Sequence, residues 1–329
     1  DLTPPLSRET MDKPVLNLIA SEKCATPEEV YTFLQATFTG FAVWSKAMIP
    51  EDFQKRVLEI LDKCQRIGLV EINENGCFHA TEKGKIVAQK GLALNTGRDL
   101  LEWLNNTDQG QISELEILIL LAMTEDGEGC YVNLSSPEHR GRKYRTLLQK
   151  EVFDSGEKDK EIFRSILVKP VRLAYDEDKA IKKALVLKDW ISAEVTCEIE
   201  KKYLVYAGAI RRVGEEFSWL AESLAALAEV EGWKERDVKK IQSLSQRLIL
   251  GLTEKGLAIS HIRIRGLGRT YINQLIHNGY DTPETLAELP LKELIHWLPE
   301  SLAKRVYQFF HPVEITSIPV RSFSYPEEE

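Results

Sequence analysis

The chain has 329 residues, 43% of them hydrophobic and 29% charged, and a formal net charge of -8, which is the composition of an ordinary folded protein of two or three domains. The surplus of acid excludes a strongly basic nucleic-acid binder and leaves room only for local binding. The longest apolar run, Ile117 to Met123, falls far short of the roughly 20 residues of a membrane span, and no secretory leader is visible, so no membrane partner is expected. The five cysteines (Cys24, Cys64, Cys77, Cys130, Cys197) are scattered, odd in number and without a CxxC pair. That pattern argues against a disulfide framework and a zinc site and points to a reducing, cytoplasmic setting.

In chain order, residues 1–12 read as a linker and residues 13–92 as a winged helix. Pro14 opens a short helix through Ser21. Thr26-Pro27-Glu28-Glu29 is a capping box that starts a second helix, with Val30, Phe33, Leu34 and Phe38 on its apolar side. A third begins near Pro50, with Phe53, Val57, Ile60, Leu61 and Cys64 at helical spacing, and stops at Gly68. Leu69 to Ile72 and Cys77 to Ala80 then flank Asn75-Gly76, the signature of a hairpin and the natural wing, and Thr81-Glu82-Lys83-Gly84 leads into a closing helix. On the third helix Glu51, Asp52, Glu59 and Asp62 cancel Lys55, Arg56, Lys63 and Arg66, which favours packing over reading of a DNA groove.

Residues 95–255 read as a helical domain. Asp99 to Asn105, Ser113 to Thr124, Lys160 to Val168, Asp178 to Val195 and Ala209 to Glu231 carry helical periodicity, and a further helix follows Lys234. Asp126 to Lys158, rich in Gly, Ser and charge, is expected to form loops with one short helix near Lys143 to Val152. From Ala209 to Ala228 the residues Ile210, Val213, Phe217, Leu220, Leu224 and Leu227 define one buried stripe. Trp219 projects roughly 130° from the centre of that stripe, with Arg212 two turns earlier within about 20° of it. Such a tryptophan either packs on a neighbouring domain or, with Arg212, faces a channel where it stacks on a nucleic-acid base. Glu215 and Glu222 share the face and weaken its electrostatic attraction for a strand.

Residues 256–312 form a helix-hairpin-helix domain. Arg263-Ile264-Arg265-Gly266-Leu267-Gly268-Arg269-Thr270 places two glycines around one apolar residue, directly before a helix that runs to Asn278 and is closed by Gly279. The bare N–H groups of Gly266 and Gly268 and the positive end of that helix make a nest for one phosphate, whatever its base. Arg263, Arg265 and Arg269 crowd the same turn with no acid among them. Lys255 to Pro312 holds about seven Lys and Arg against five Asp and Glu, so this end is mildly basic within an acidic chain. Residues 313–329 read as a flexible acidic tail. The fold class is therefore mainly α.

No catalytic or metal site is visible. A GxxxxGK[ST] loop is missing, since Gly84-Lys85 is followed by Ile86, and neither HExxH nor GxSxG occurs. Asp176-Glu177-Asp178-Lys179 reads as the acidic start of a helix.

The order of parts is similar to the C-terminal half of HelQ-type DNA helicases of superfamily 2. Besides the winged helix and the hairpin, the similarity is carried by Leu185-Val186-Leu187-Lys188-Asp189-Trp190-Ile191 and by Arg211-Arg212-Val213-Gly214-Glu215-Glu216-Phe217-Ser218-Trp219-Leu220, and it spans about Lys13 to Pro312. The resemblance implies that the helix around Arg212 and Trp219 is a ratchet helix touching successive bases of a translocating strand, with Arg211 beside it. It further implies that the hairpin, through Arg263, Arg265, Gly266, Gly268, Arg269 and Thr270, holds the strand's exit or brakes it, while the winged helix braces the motor. The partners it implies are single-stranded or forked DNA and the RecA-like motor domains of the same polypeptide, which bind ATP and Mg in the intact parent, a 3′ to 5′ helicase of DNA repair. The chain itself is expected to be a fragment without ATPase activity, as its start at Asp1 suggests, and to hold no cofactor. A protein-interaction or RNA-binding cassette of a related RNA helicase is the alternative, favoured by the acidity. A second hairpin at Pro299-Glu300-Ser301 lacks both glycines and is expected only to pack.

Overall fold

The computed structural model describes residues 11–168 and 174–312; most of the expected linker 1–12 and the whole expected tail 313–329 lie outside the described residues. The chain divides into two compact units, Asp1–Gly251 and Leu252–Glu329.

The first unit opens with helices Asp12–Ala20, Pro27–Ala36 and Pro50–Arg66, the antiparallel strands Val70–Ile72 and Phe78–Ala80, and the helix Glu82–Lys90. Pairing runs Val70 to Ala80, Glu71 to His79 and Ile72 to Phe78. The connecting turn is held by Asn73, whose side-chain oxygen accepts from the N–H groups of Asn75 and Cys77 at 3.0 and 2.9 Å. Thr26 and Glu29 form the reciprocal cap expected of them. Phe53, Val57, Ile60, Leu61 and Cys64 are all buried.

Phe33 and Phe38 correct the sequence reading, for both are exposed. The stripe that Pro27–Ala36 buries is Val30 and Leu34, with Tyr31 edge-on to Phe53 at 5.1 Å. Phe33 projects roughly 80° from the centre of that narrow stripe. Phe38 is not on the helix, because Thr37 turns extended (ψ 157°) and a π-helical turn, Gly40–Trp44, follows.

The remainder of the unit is built around Glu114–Met123, capped by Ser113 and buried on nearly every side, and Tyr175–Ile191. The second helix stops short of the expected Val195. Ala193 takes a left-handed φ of 66°, and a separate helix, Thr196–Tyr203, begins. The one helix expected near Lys143 to Val152 runs over Lys143–Ser155, and the region before it, expected to be loops, also holds Glu125–Gly129 and Ser136–Arg140, each started by a capping hydroxyl from Thr124 or Ser135. Helices of five residues show too little periodicity to be seen by pattern.

Two adjacent lysines of Tyr175–Ile191 are buried and fasten these short helices. Lys182 donates to the Asn133 carbonyl at 2.6 Å and to Glu138 at 3.4 Å, and Lys183 donates to the Gly127 and Glu128 carbonyls at 2.6 and 3.1 Å. Burial pushes the Lys183 ammonium down to about 8. For Glu138 burial acts upward, but hydrogen bonds from Tyr144 and Ser135 and the charge of Lys182 bring its carboxyl down to about 2.

The long helix Ala207–Val230 lies against Glu235–Leu250. Gly214 permits their close crossing: a Cβ there would stand 2.5 Å from the Leu248 carbonyl oxygen, which itself accepts from the Trp190 indole at 2.9 Å. Ser218 and Ser245 share a buried hydrogen bond of 3.0 Å at the same crossing.

The second unit contains helices Glu254–Ser260, Arg269–His277, Pro283–Ala287, Leu291–Trp297 and Glu300–Phe310. Ile259, Ile272, Leu275, Leu294, Leu302 and Val306 form its core. Two hairpins result, one turning at Gly266 to Gly268 and one at Leu298 and Pro299.

Candidate nucleic-acid interface

Each unit carries one of the two features singled out in the sequence. In the first, Ile210, Val213, Phe217, Leu220, Leu224 and Leu227 are buried, so the stripe points inward. Arg211 and Arg212 are exposed, the side chain of Arg212 at 71%, and the Arg212 guanidinium bonds Glu216 at 3.0 Å one turn on. Trp219 is half-buried against the core, and its indole N–H donates to the Lys90 carbonyl at 2.9 Å, at the end of the helix Glu82–Lys90. Two ion pairs reinforce that seam, Lys90 with Glu222 at 2.9 Å and Lys83 with Glu231. Glu222, one of the acids on the Trp219 face, is thus engaged by a lysine of the helix Glu82–Lys90.

In the second unit Gly266 has a left-handed φ of 92°, whereas Gly268 is extended, with ψ of -178°, and forms the N-cap of Arg269–His277. The Leu267 N–H donates to the Ile264 carbonyl at 3.0 Å, closing the turn, and Leu267 packs into the core. A Cβ on Gly268 would meet nothing within 4 Å. The backbone therefore faces open space at the start of a helix whose first N–H groups have no acceptor within the helix. Arg263, Arg265 and Thr270 are exposed and Arg269 is half-buried. Arg263 is itself left-handed (φ 56°), so that Ile262 and Ile264 turn toward the core while Arg263 and Arg265 turn out. The structure thus gathers Arg263, Arg265, Gly266, Gly268, Arg269 and Thr270 at one turn and Arg211, Arg212 and Trp219 on one helix.

A cleft of about 600 Å³ lies elsewhere in the first unit, among Asp99, Glu102, Asp108, Glu157, Asp159 and Glu161. So acidic a lining repels a phosphate backbone. Among the described residues, no three His, Cys, Asp or Glu side chains gather as a metal site, and no helix is long and apolar enough to cross a membrane. The five cysteines are unpaired, and burial pushes the Cys64 thiol up to about 12.

Comparison with known proteins bears on the first of these features. Residues 115–251 match the family model of archaeal helicase domain 4. That span includes the whole of Ala207–Val230, with Arg211, Arg212 and Trp219. The chain is also similar to proteins named ATP-dependent DNA helicase Hel308. It is 25% identical over 308 residues to the one from Caldivirga maquilingensis, covering 90% of this chain and 38% of that protein. To the one from Pyrococcus horikoshii it is 23% identical over 285 residues, covering 85% and 36%, and to the one from Pyrobaculum calidifontis 30% identical over 162 residues, covering 46% and 22%. The chain therefore spans less than two fifths of the length of the relatives it matches.

Proposed function

We propose that this chain is the C-terminal DNA-binding region of an ATP-dependent DNA helicase, which grips a single strand during 3′ to 5′ translocation. The match of residues 115–251 to archaeal helicase domain 4 carries the reading, because that span holds the helix on which Arg212 and Trp219 share a face. In this reading the Trp219 N–H is engaged by Lys90, so the residue meets a base with its ring and not by a polar contact. Arg212 supplies a planar cation two turns away, with Arg211 beside it. The nest of the second unit takes a backbone phosphate, aided by Arg263, Arg265, Arg269 and Thr270.

ATP and Mg are assigned to RecA-like motor domains of a longer parent protein. Gly84-Lys85 lies within the helix Glu82–Lys90, and a Cβ on Gly84 would stand 1.9 Å from the Leu69 carbonyl oxygen, so that glycine serves packing. The test is anisotropy of a labelled oligodeoxythymidylate. Arg212→Ala is expected to weaken binding roughly fivefold with an unchanged melting temperature, since the side chain is exposed and its pair with Glu216 is worth about 0.5 kcal/mol or less. Absence of strand binding by the unaltered chain would overturn the reading.

A further inference from the structure

The second hairpin supplies a residue that the sequence places far from the glycine turn. Glu300–Phe310 is anchored by the buried Leu302, Ala303 and Val306. From the solvent edge of that helix Arg305 reaches back to the first hairpin. Its Nη2 lies 3.1 Å from the position a Cβ would take on Gly266, with the Cδ1 of Leu302 at 3.7 Å. Gly266 is required by its positive φ, while the guanidinium laid against it would have to give by only a few tenths of an ångström to admit a Cβ.

We propose that Arg305 is a phosphate ligand of the Gly266 to Gly268 turn, so that the two hairpins form one anion site. The inference rests on the reading of that turn as a DNA-backbone contact. Three observations carry it. First, among the described residues no carboxylate pairs with Arg305, whereas its neighbour Lys304 is held by Glu300 at 2.6 Å on the same helix. Arg305 is the cation left available. Second, Gly266 and the first N–H of Arg269–His277 are separated by at most about 10 Å of chain, and less in a closed turn, so a guanidinium on Gly266 adjoins the positive end of that helix. Third, the neighbouring charges agree in sign, because Arg263, Arg265 and Arg269 belong to the same turn. A guanidinium offers two parallel donors to a phosphate, and the packed helix beneath Arg305 limits the freedom lost on binding. Pro299-Glu300-Ser301 itself contributes no nest. The second hairpin acts through a side chain and not through its backbone.

The experiment measures affinity of the whole chain for a fluorescein-labelled oligodeoxythymidylate across a salt series, with melting temperature on each variant. Arg305→Ala is expected to weaken binding roughly fivefold at low salt and to reduce the slope of log affinity against log salt by about 0.7, the share of one phosphate contact on a single strand. Arg305→Lys should recover less than half of the loss, since it keeps the charge and lacks the fork. Lys304→Ala, on the same helix, should leave affinity almost unchanged. On a strand with an uncharged methylphosphonate backbone, Arg305→Ala and the unaltered chain should bind alike. If Arg305→Ala lowers melting, Arg305→Gln keeps most of the packing and gives the same reading. Unchanged affinity and slope in Arg305→Ala or Arg305→Gln, while Gly268→Ala with Arg269→Ala loses binding, overturns the role of Arg305 and leaves the hairpin reading standing. No binding by the unaltered chain overturns both.

Discussion

The two units of this chain treat charge in opposite ways. The first keeps ionised groups inside: Lys182 and Lys183 are fully buried, Glu116 and Glu138 nearly so, and Arg247 is held by Glu114 under the long helix. In the second, among the described residues, the one buried polar side chain is Asn273, and its arginines lie at the surface or halfway to it. Buried charges that are paired and hydrogen-bonded fix which segments meet, at a desolvation cost that offsets much of their attraction. Surface arginines near a glycine turn contribute little to folding and remain available to a ligand. The first unit uses charge to hold its own short helices in place, while the second presents it outward.

Acid should separate the two units by the largest margin. Glu138 has a carboxyl lowered to about 2 from its ordinary 4.5, so the stability it confers is complete above pH 4.5 and disappears as the pH falls toward 2. The loss is about 3 kcal/mol for this group. Lys182→Ala should remove part of it at neutral pH and cost less than the roughly 3–5 kcal/mol of a buried pair broken outright, because Lys143 stays 3.7 Å from Glu138 and the hydrogen bonds from Tyr144 and Ser135 remain. Hydrogen exchange resolved by segment is the measurement. Residues 125–203 should open in acid before residues 254–310, and simultaneous opening would show that the buried pairs do not set the order.

The next effect concerns Trp219. As a half-buried ring with its N–H bonded to Lys90, it should cost about 2 kcal/mol of stability when replaced by alanine, less than the 3–5 of a core aromatic. Trp219→Phe keeps the ring face and loses the hydrogen bond, so about 1 kcal/mol is expected. If strand affinity survives in Trp219→Phe and is lost in Trp219→Ala, the ring serves the strand as well as the seam. Equal affinity in both would confine Trp219 to holding the helix Glu82–Lys90 against the long helix.

How far the sequence revealed these features depended on range. The hairpin Val70 to Ala80, the cap at Thr26 and the buried stripe of Ala207–Val230 are set by residues within a few turns of one another, and pattern reading finds them. The direction of Trp219 also followed from periodicity, but its partner did not, because Lys90 comes from a distant segment and offers a backbone carbonyl, which leaves no mark in sequence. Lys182 and Lys183 look like solvated charges in a helix, and their burial depends on carbonyls from Gly127, Glu128 and Asn133 in a stretch that reads as loop. Arg305 was hidden for the same reason, since only the packing of the second hairpin brings it to Gly266.

Within the glycine turn the two glycines should respond differently. At Gly266 alanine would have to adopt a φ of 92° and displace the Arg305 guanidinium, so about 1–3 kcal/mol is expected. Loss of affinity there would be ambiguous, since fold and site change together.

Gly268 avoids that ambiguity and gives the smallest effect on stability. Its φ of -96° and ψ of -178° are open to any residue, and an added Cβ meets no atom within 4 Å. At an N-cap alanine is less favourable than glycine, but it also lowers the entropy of the unfolded chain, and the two effects offset, so Gly268→Ala should change stability by less than about 1 kcal/mol. The methyl group would nevertheless occupy the open space from which a phosphate must approach the first N–H groups of Arg269–His277. Strand affinity should then fall several-fold while melting stays fixed, and the loss should be independent of base sequence because a phosphate carries none. It should also shrink as salt rises and screens the contact. Unchanged affinity at low salt, with unchanged melting, would show that the open face of the hairpin is not where the strand is held, and the comparison between the units would then reduce to a difference in how each is folded.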